Sequence, residues 1–254
     1  MRVFLIAGEP SGDRLGGALM AGLKELMPGV RFDGVGGAQM QAEGLVSRFP
    51  MDELSVMGLA EILPKYRALK RRIAETARAV IEARPDVLIT IDSPDFCLRV
   101  ARLVKAESRI RCVHYVAPTV WAWRPRRRFG VARNCHAVLC LYPFESDCYA
   151  DTNVRAEYIG HPLADELDDT VPATEARAEL GLEPEQPLLA VLPGSRRSEV
   201  ERLMPPFAEA AAKLAERYPG LRAVVPVASP HLRPLIVAHL SEAQGLEWTL
   251  VEGA

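Results

Sequence analysis

Short apolar runs bounded by turn residues recur through the first part of the chain, at 2–7, 31–35, 86–91, 111–116, 137–141 and 155–159. Each has the length of a strand, and those at 2–7, 86–91, 111–116 and 137–141 are the most apolar. Helical periodicity fills most of the gaps, at 13–27, 66–83 and 96–105. This alternation predicts an α/β fold, a doubly wound parallel sheet with helices on both faces. After Gly160-His161-Pro162 comes a Pro- and acid-rich stretch, and then the alternation restarts. A strand at 188–192, a helix at 199–217 and strands at 221–227 and 246–251 follow. The pattern predicts two domains, 1–165 and 186–254, with the boundary inside 163–186. The second would hold about three strands where a complete Rossmann-like unit usually has six, so it reads as truncated.

Composition narrows the class. Of 254 residues, 49% are hydrophobic and 25% charged, as in an ordinary globular chain. No apolar run reaches the roughly 18 residues that span a bilayer. The opening run from Met1 to Ala7 is too short for a signal peptide and reads as the first strand. Cys97, Cys112, Cys135, Cys140 and Cys148 are odd in number and lack CxxC spacing, which predicts free thiols in a reducing cytoplasm. Net charge is only −2, but it is segregated. Lys65, Arg67, Lys70, Arg71 and Arg72 form one basic stretch; Arg124, Arg126, Arg127, Arg128 and Arg133 form another. Residues 165–185 are strongly acidic. Two basic patches on a near-neutral chain point to local anionic partners: phosphate, anionic lipid or nucleic acid.

Four segments carry candidate chemistry. In Gly8-Glu9-Pro10-Ser11-Gly12-Asp13, glycines permit a tight turn and amides at a helix start favour an anion, although the spacing is not that of a dinucleotide fingerprint. A plain β–α turn with Asp13 in the first helical turn fits equally well. Asp92-Ser93-Pro94-Asp95 ends an apolar strand, the edge at which open α/β sheets bind ligands. Asp95 suits a helix cap, which leaves Asp92 as the better proton acceptor. Trp121, Trp123 and Arg124 lie in a loop that could stack bases, contact a sugar phosphate or pack the sheet end. The absence of an RNP-like motif and a pI near 6.2 argue against nucleic acid. Gly194, Ser195, Arg196 and Ser198 form a turn before a helix, where arginine and exposed amides suit a phosphate. Ser198 and Glu201 have capping-box spacing. His114, His136 and His161 show no metal-ligand spacing, so no metal site is expected. In 54–73, Leu59, Ile62, Leu63, Tyr66, Leu69 and Ile73 recur at i+3/i+4, with Pro64 expected to start a second helix. Such a basic amphipathic segment either faces its own core or lies in a membrane interface.

Several of these strings, AGEPSGD, Gly34-Val35-Gly36-Gly37, IDSPDF, HYVAPTVWAWR, Tyr158-Ile159-Gly160-His161-Pro162 and LPGSRRSEV, together resemble the lipid-A-disaccharide synthase family. The resemblance runs from AGEPSGD to LPGSR, and the family extends well beyond 254 residues. It implies a GT-B-like glycosyltransferase with two Rossmann-like domains, a first domain carrying the acceptor, membrane side and base, and a second taking the UDP donor. The implied reaction moves 2,3-diacylglucosamine from its UDP donor to the 6-hydroxyl of 2,3-diacylglucosamine 1-phosphate, with inversion. Asp92 would be the base, with Asp95 and Glu9 in the same catalytic group. Gly194, Ser195, Arg196 and Ser198 would hold the diphosphate without a metal or other cofactor. Gly8, Ser11, Gly12, Asp13, Trp121, Trp123 and Arg124 would form the acceptor loops. Leu59, Ile62, Leu63, Tyr66 and Leu69 would touch the cytoplasmic face of the inner membrane, making the protein peripheral there. A homodimer stays open. The competing readings are another UDP-sugar enzyme of this architecture, such as a 2-epimerase, and a non-catalytic lipid- or RNA-binding module.

Overall fold

Val3, Phe4, Leu5, Ile6 and Ala7 are all buried, so strand β1 (Arg2–Ala7) is apolar on both faces, as a central parallel strand must be. The computed structural model describes residues 1–54, 59–166, 171–240 and 246–252, without the side chains of 59–66 and Glu166. Within the first unit, Met1–Asp168, β1 pairs with β2 (Arg31–Val35) on one side and β3 (Val87–Ile91) on the other. Strands β4 (Arg111–Tyr115), β5 (Ala137–Cys140) and β6 (Arg155–Tyr158) complete a six-stranded parallel sheet, ordered β2-β1-β3-β4-β5-β6. The chain runs outward from β1 to β2, then returns to β3 on the opposite side of β1. That reversal is a topological switch point, where loops at the carboxyl ends splay apart and leave a crevice.

Helices α1 (Pro10–Leu26), α2 (Ala38–Ala42), α3 (Leu59–Ala83), α4 (Pro94–Glu107) and α5 (Arg127–Asn134) connect these strands. α4 buries Phe96, Cys97, Val100, Ala101 and Val104, an i+3/i+4 stripe against the sheet. α3 runs unbroken through Pro64, which corrects the expected break there. The proline cannot donate to the carbonyl of Ala60, so a single helical bond is lost and the backbone continues. After the short α6 (Leu163–Glu166), the second unit spans Asp169–Ala254. It contains α7 (Ala173–Glu179) and a three-stranded parallel sheet, β7 (Leu188–Ala190), β8 (Arg222–Val227) and β9 (Glu247–Glu252). Val200 and Met204 of α8 (Arg197–Arg217) and Ile236 and Leu240 of α9 (Arg233–Leu240) share a core with that sheet. No helix among the described residues is long and apolar enough to cross a membrane.

All five cysteines are free, and four are buried. Burial pushes the thiols of Cys112 and Cys140 up to about 11, so neither is a ready nucleophile at neutral pH. The core also holds one imidazole. His114 on β4 sits in register with Thr90 on β3, and its Nδ1 lies 2.8 Å from Thr90 Oγ1. Its Nε2 is buried without a hydrogen-bond partner. Burial, and then the charge of Arg127, hold the ring neutral and its pKa down to about 4 from 6.5. The unfolded chain therefore takes up this proton below 6.5, while the folded chain refuses it until about 4. Stability from this group is complete above 6.5 and should fall as pH drops towards 4, by up to about 1.4 kcal/mol per unit. Urea midpoints at pH 7.5 and 5 should show a shallower acid loss in His114→Gln than in the parent; equal slopes would assign the loss to other groups.

Candidate active-site cleft and phosphate loop

The loops after β1 and β3 meet at the switch point. A Cβ on residue 8 would lie 2.7 Å from Ser93 Oγ and 3.0 Å from Ser93 Cβ, so Gly8 lets the two loops approach closely without moving that side chain. Asp92 and Ser93 have φ of 51° and 40°, two consecutive left-handed residues that turn the chain sharply out of β3. The Asp92 amide still donates to Tyr115 O at 2.9 Å, anchoring the turn to β4. Ser11 Oγ donates to Asp92 Oδ2 at 3.2 Å, so the α1 start and the β3 end share one hydrogen bond. Asp92 is half-buried and lines a cavity of about 160 Å³ with Pro94, residues 116–120, Trp123 and Arg127. Val116 there has φ 76°, an outlier for a β-branched residue, and Arg124 has φ 54°. Four of the five non-glycine residues with positive φ among the described residues thus surround this edge, where strain is held by a rigid scaffold.

Asp95 has a different place. It is exposed and its Oδ1 accepts from Arg127 at 2.6 Å. The expected cap is not Asp95: Ser93 is the N-cap of α4 and makes no side-chain cap bond, while Asp95 sits in the first turn. Glu9 is the half-buried N-cap of α1. Glu9 and Asp92 both bear on buried Cys97, whose thiol is pushed up by burial first and then by Asp92, with a smaller contribution from Glu9. Asp13 is the clear correction to the acceptor loop. It is buried, and its carboxylate accepts from the amides of Gly37, Gln39 and Met40 at 2.7, 2.9 and 3.1 Å. Those bonds occupy it in capping α2 from another segment, so it has a structural task. Gly12 is buried against Ile91, whereas Ser11 is exposed.

Trp121 and Trp123 are exposed. Trp121 meets Phe144 edge-on at 5.3 Å, and Phe144 stacks on Tyr142 at 5.8 Å. Arg124 lies over the Trp123 ring at 4.1 Å. Arg127, which pairs with Asp95 and lines the Asp92 cavity, is marked by the sequence only as one member of a basic stretch, with no site role. The two residues lie 32 apart, and only the parallel order of β3 and β4 brings them together.

In the second unit, the turn after β7 carries Gly194 with φ 107°, which favours glycine. Ser195 and Ser198 are exposed. The helix starts two residues earlier than its sequence suggests. Arg196 is the N-cap, and Glu199 Oε2 accepts from the Ser195 and Arg196 amides at 3.0 and 3.1 Å. Glu199 Oε1 accepts from the Arg196 guanidinium at 2.8 Å. Glu199 alone therefore supplies the side-chain cap of this turn, and Glu201 instead pairs with Arg197 at 2.8 Å. Partial burial works against the Glu199 charge, but Arg196 and the two amides outweigh it and hold the carboxyl below its ordinary range. An intramolecular carboxylate thus sits in the nest that a phosphate would use.

Of the proposed membrane stripe, the side chains of Leu59, Ile62, Leu63 and Tyr66 lie outside the described residues, as do 55–58. Leu69 is partly buried against the core, and Ile73 is buried, so this end of the stripe faces inward. Arg72 pairs with Glu53 and Glu75 and lies over Phe49 at 4.3 Å, while Arg67, Lys70 and Arg71 are exposed.

Two parallel α/β units with ligand-type loops at the strand ends define the GT-B class, shared by glycosyltransferases and sugar-nucleotide epimerases. The UDP-GlcNAc 2-epimerase of Neisseria meningitidis, solved with UDP-GlcNAc, is similar over 100% of this chain and 73% of its own, with a TM-score of 0.68 and 11% identity. Anabaena HepE, solved with UDP and glucose, is similar over 100% of this chain and 69% of its own, at a TM-score of 0.58 and 14% identity. Such distant likeness describes the fold alone. The chain belongs to the lipid-A-disaccharide synthetase family, whose profile matches residues 3–253. It is 57% identical over 246 residues to the lipid-A-disaccharide synthase of Ruegeria pomeroyi, covering 96% of this chain and 61% of that protein. With the synthase of Pseudomonas fluorescens SBW25 it shares 47% over 253 residues, 100% of this chain and 66% of the relative. The chain thus spans about three fifths to two thirds of these relatives' length.

Replacing Glu199 by Ala should release the Arg196 cap and destabilise the second unit by about 1 kcal/mol, while Glu199→Gln, which keeps an acceptor oxygen, should recover most of it. Thermal or urea melts of the three proteins measure this; equal midpoints would show that the carboxylate does not hold the turn.

Proposed function

We propose that this chain carries the lipid-A-disaccharide synthase reaction of its relatives. It would transfer 2,3-diacylglucosamine from UDP to the 6-hydroxyl of 2,3-diacylglucosamine 1-phosphate, releasing UDP. The observation that supports this most is the carboxylate of Asp92 at the switch point, oriented by Ser11, in a chain of this family. Asp92 would accept the hydroxyl proton as the oxygen attacks the anomeric carbon. Attack from the face opposite the leaving UDP inverts that centre. In the second unit, the amides of 194–198 and the Arg196 guanidinium would neutralise the diphosphate as the bond to it breaks. For that, Glu199 must yield its hydrogen bonds to the incoming phosphate. Glu9 would add a second carboxylate beside Asp92, and Ser11 a polar contact to the sugar. The exposed ladder of Trp121, Phe144 and Tyr142 offers apolar surface to the acyl chains.

The test is UDP release that requires both acylated sugars. Asp92→Asn should lower turnover by about 10²–10⁴-fold with little change in donor binding. Full turnover in Asp92→Asn with loss in Asp95→Asn would move the base three residues along. Consumption of donor without acceptor would favour an epimerase-like enzyme.

We infer further that the protein works peripherally at the cytoplasmic face of the inner membrane, where both lipid substrates reside, with the start of α3 as the contact. Exposed Arg67 and Lys70 would add about 1 kcal/mol apiece at an anionic surface, and Arg72, already paired, would not. Flotation with phosphatidylglycerol vesicles should fall in Arg67→Glu/Lys70→Glu and with rising salt, at an unchanged melting point. Equal flotation of parent and variant would remove this face from membrane contact.

A further inference from the structure

We propose that the cleft formed by Arg124, Arg126 and Arg127 is a subsite for a phosphomonoester, the anomeric phosphate of the acceptor, with Asp95 as the resident counter-charge it displaces. This rests on the acceptor reading above. A cavity of about 620 Å³ is lined by Asp95, Arg124, Pro125, Arg126 and Arg127. Arg127 also lines the smaller cavity that holds Asp92, so one guanidinium borders both the proton acceptor and the basic cleft. An acceptor sugar with its hydroxyl at Asp92 and its phosphate on the arginines would be held at both ends.

Charge fixes the chemical class. Three guanidinium groups line the cleft with a single carboxylate, a surplus of two positive charges. A phosphomonoester carries about −1.5 to −2 at neutral pH and offers three acceptor oxygens to arginine forks. Arg128, next in sequence, is unavailable, because Asp151 holds it through two bonds of 2.9 and 2.7 Å. No ion pair engages Arg126 among the described residues. Among the described residues the Arg127 guanidinium is held at Asp95 alone, a carboxylate exposed enough to be displaced at little loss. Arg124 has a left-handed backbone, φ 54°, and covers the Trp123 ring. That stacking covers one face of the indole and holds the guanidinium at the cleft.

The experiment titrates the chain with short-chain 2,3-diacylglucosamine 1-phosphate and with its 1-hydroxyl counterpart. The parent should prefer the phosphate form by about 10–100-fold, the range of one or two charge-assisted contacts. Arg126→Gln/Arg127→Gln should lose most of that preference and keep its affinity for the 1-hydroxyl form, which also shows that the acceptor site is still folded. Asp95→Asn should move the other way, tightening the phosphate form about 2–5-fold, because the competing carboxylate is gone. A purely structural ion pair would not give opposite signs for its two partners. Preference retained by the double variant, or weakened by Asp95→Asn, would overturn the proposal. So would a double variant that keeps its preference but no longer binds phosphatidylglycerol vesicles, since the arginines would then read bulk lipid headgroups. Equal binding of both forms by the parent sinks the subsite and leaves the acceptor reading standing; binding of neither sinks both.

Discussion

A Cβ at position 8 would lie 2.7 Å from Ser93 Oγ and 3.0 Å from Ser93 Cβ, so the loop after β1 packs tightly on the loop after β3. The chemistry of the first unit hangs on that approach. Beside it Ser11 donates to Asp92, and the chain leaves β3 through two left-handed residues in succession. Such conformations cost of order 1–3 kcal/mol each and persist only where neighbours over-determine them. Here the sheet supplies the restraint, through the Asp92 amide on Tyr115 O and the burial of Ile91 and Phe96 on either side. Aspartate tolerates the left-handed region better than most residues, because its short polar side chain can bond locally. The conformation therefore orients the carboxylate through the backbone, leaving the side chain open to a substrate.

Much of this architecture is written in the apolar runs. Parallel strands covered on both faces read as continuous apolar runs, and β1 and β3 fall within a residue of where that pattern puts them. The strand ends are less legible. Val116 is apolar and reads as strand, yet its φ of 76° takes it out of β4 and into the cleft wall. No propensity encodes that, because the reversal follows from what the neighbouring loops require.

Polar roles were hardest to read, since they depend on partners distant in sequence. Asp13 has the spacing of a loop residue and the burial of a structural one; its partners lie 24 to 27 residues on, beyond β2. Ser198 and Glu201 have ideal capping spacing, but Glu199 reaches the Ser195 and Arg196 amides first, because Gly194 bends the turn back over its carboxylate. The amphipathic 59–73 pattern shows the same limit. Ile73 and Leu69 pack inward, so one stripe of apolar residues serves the core at one end whatever the other end meets.

The two anion-type sites share one electrostatic design. Arg127 rests on Asp95 in the first unit, and Arg196 with the Ser195 amide rests on Glu199 in the second. Without these carboxylates, a cluster of cations and unpaired amides would repel itself and strain the turns that hold it. A resident carboxylate removes the repulsion with a single charge on a partly exposed side chain. A phosphate brings more charge and three acceptor oxygens to the same donors. On the proposed reading, binding would be an exchange of anions on donors already in place. The donors need not reorganise, and solvent need not be expelled from bare cations, so affinity follows the difference between phosphate and carboxylate more than the gross attraction of the arginines.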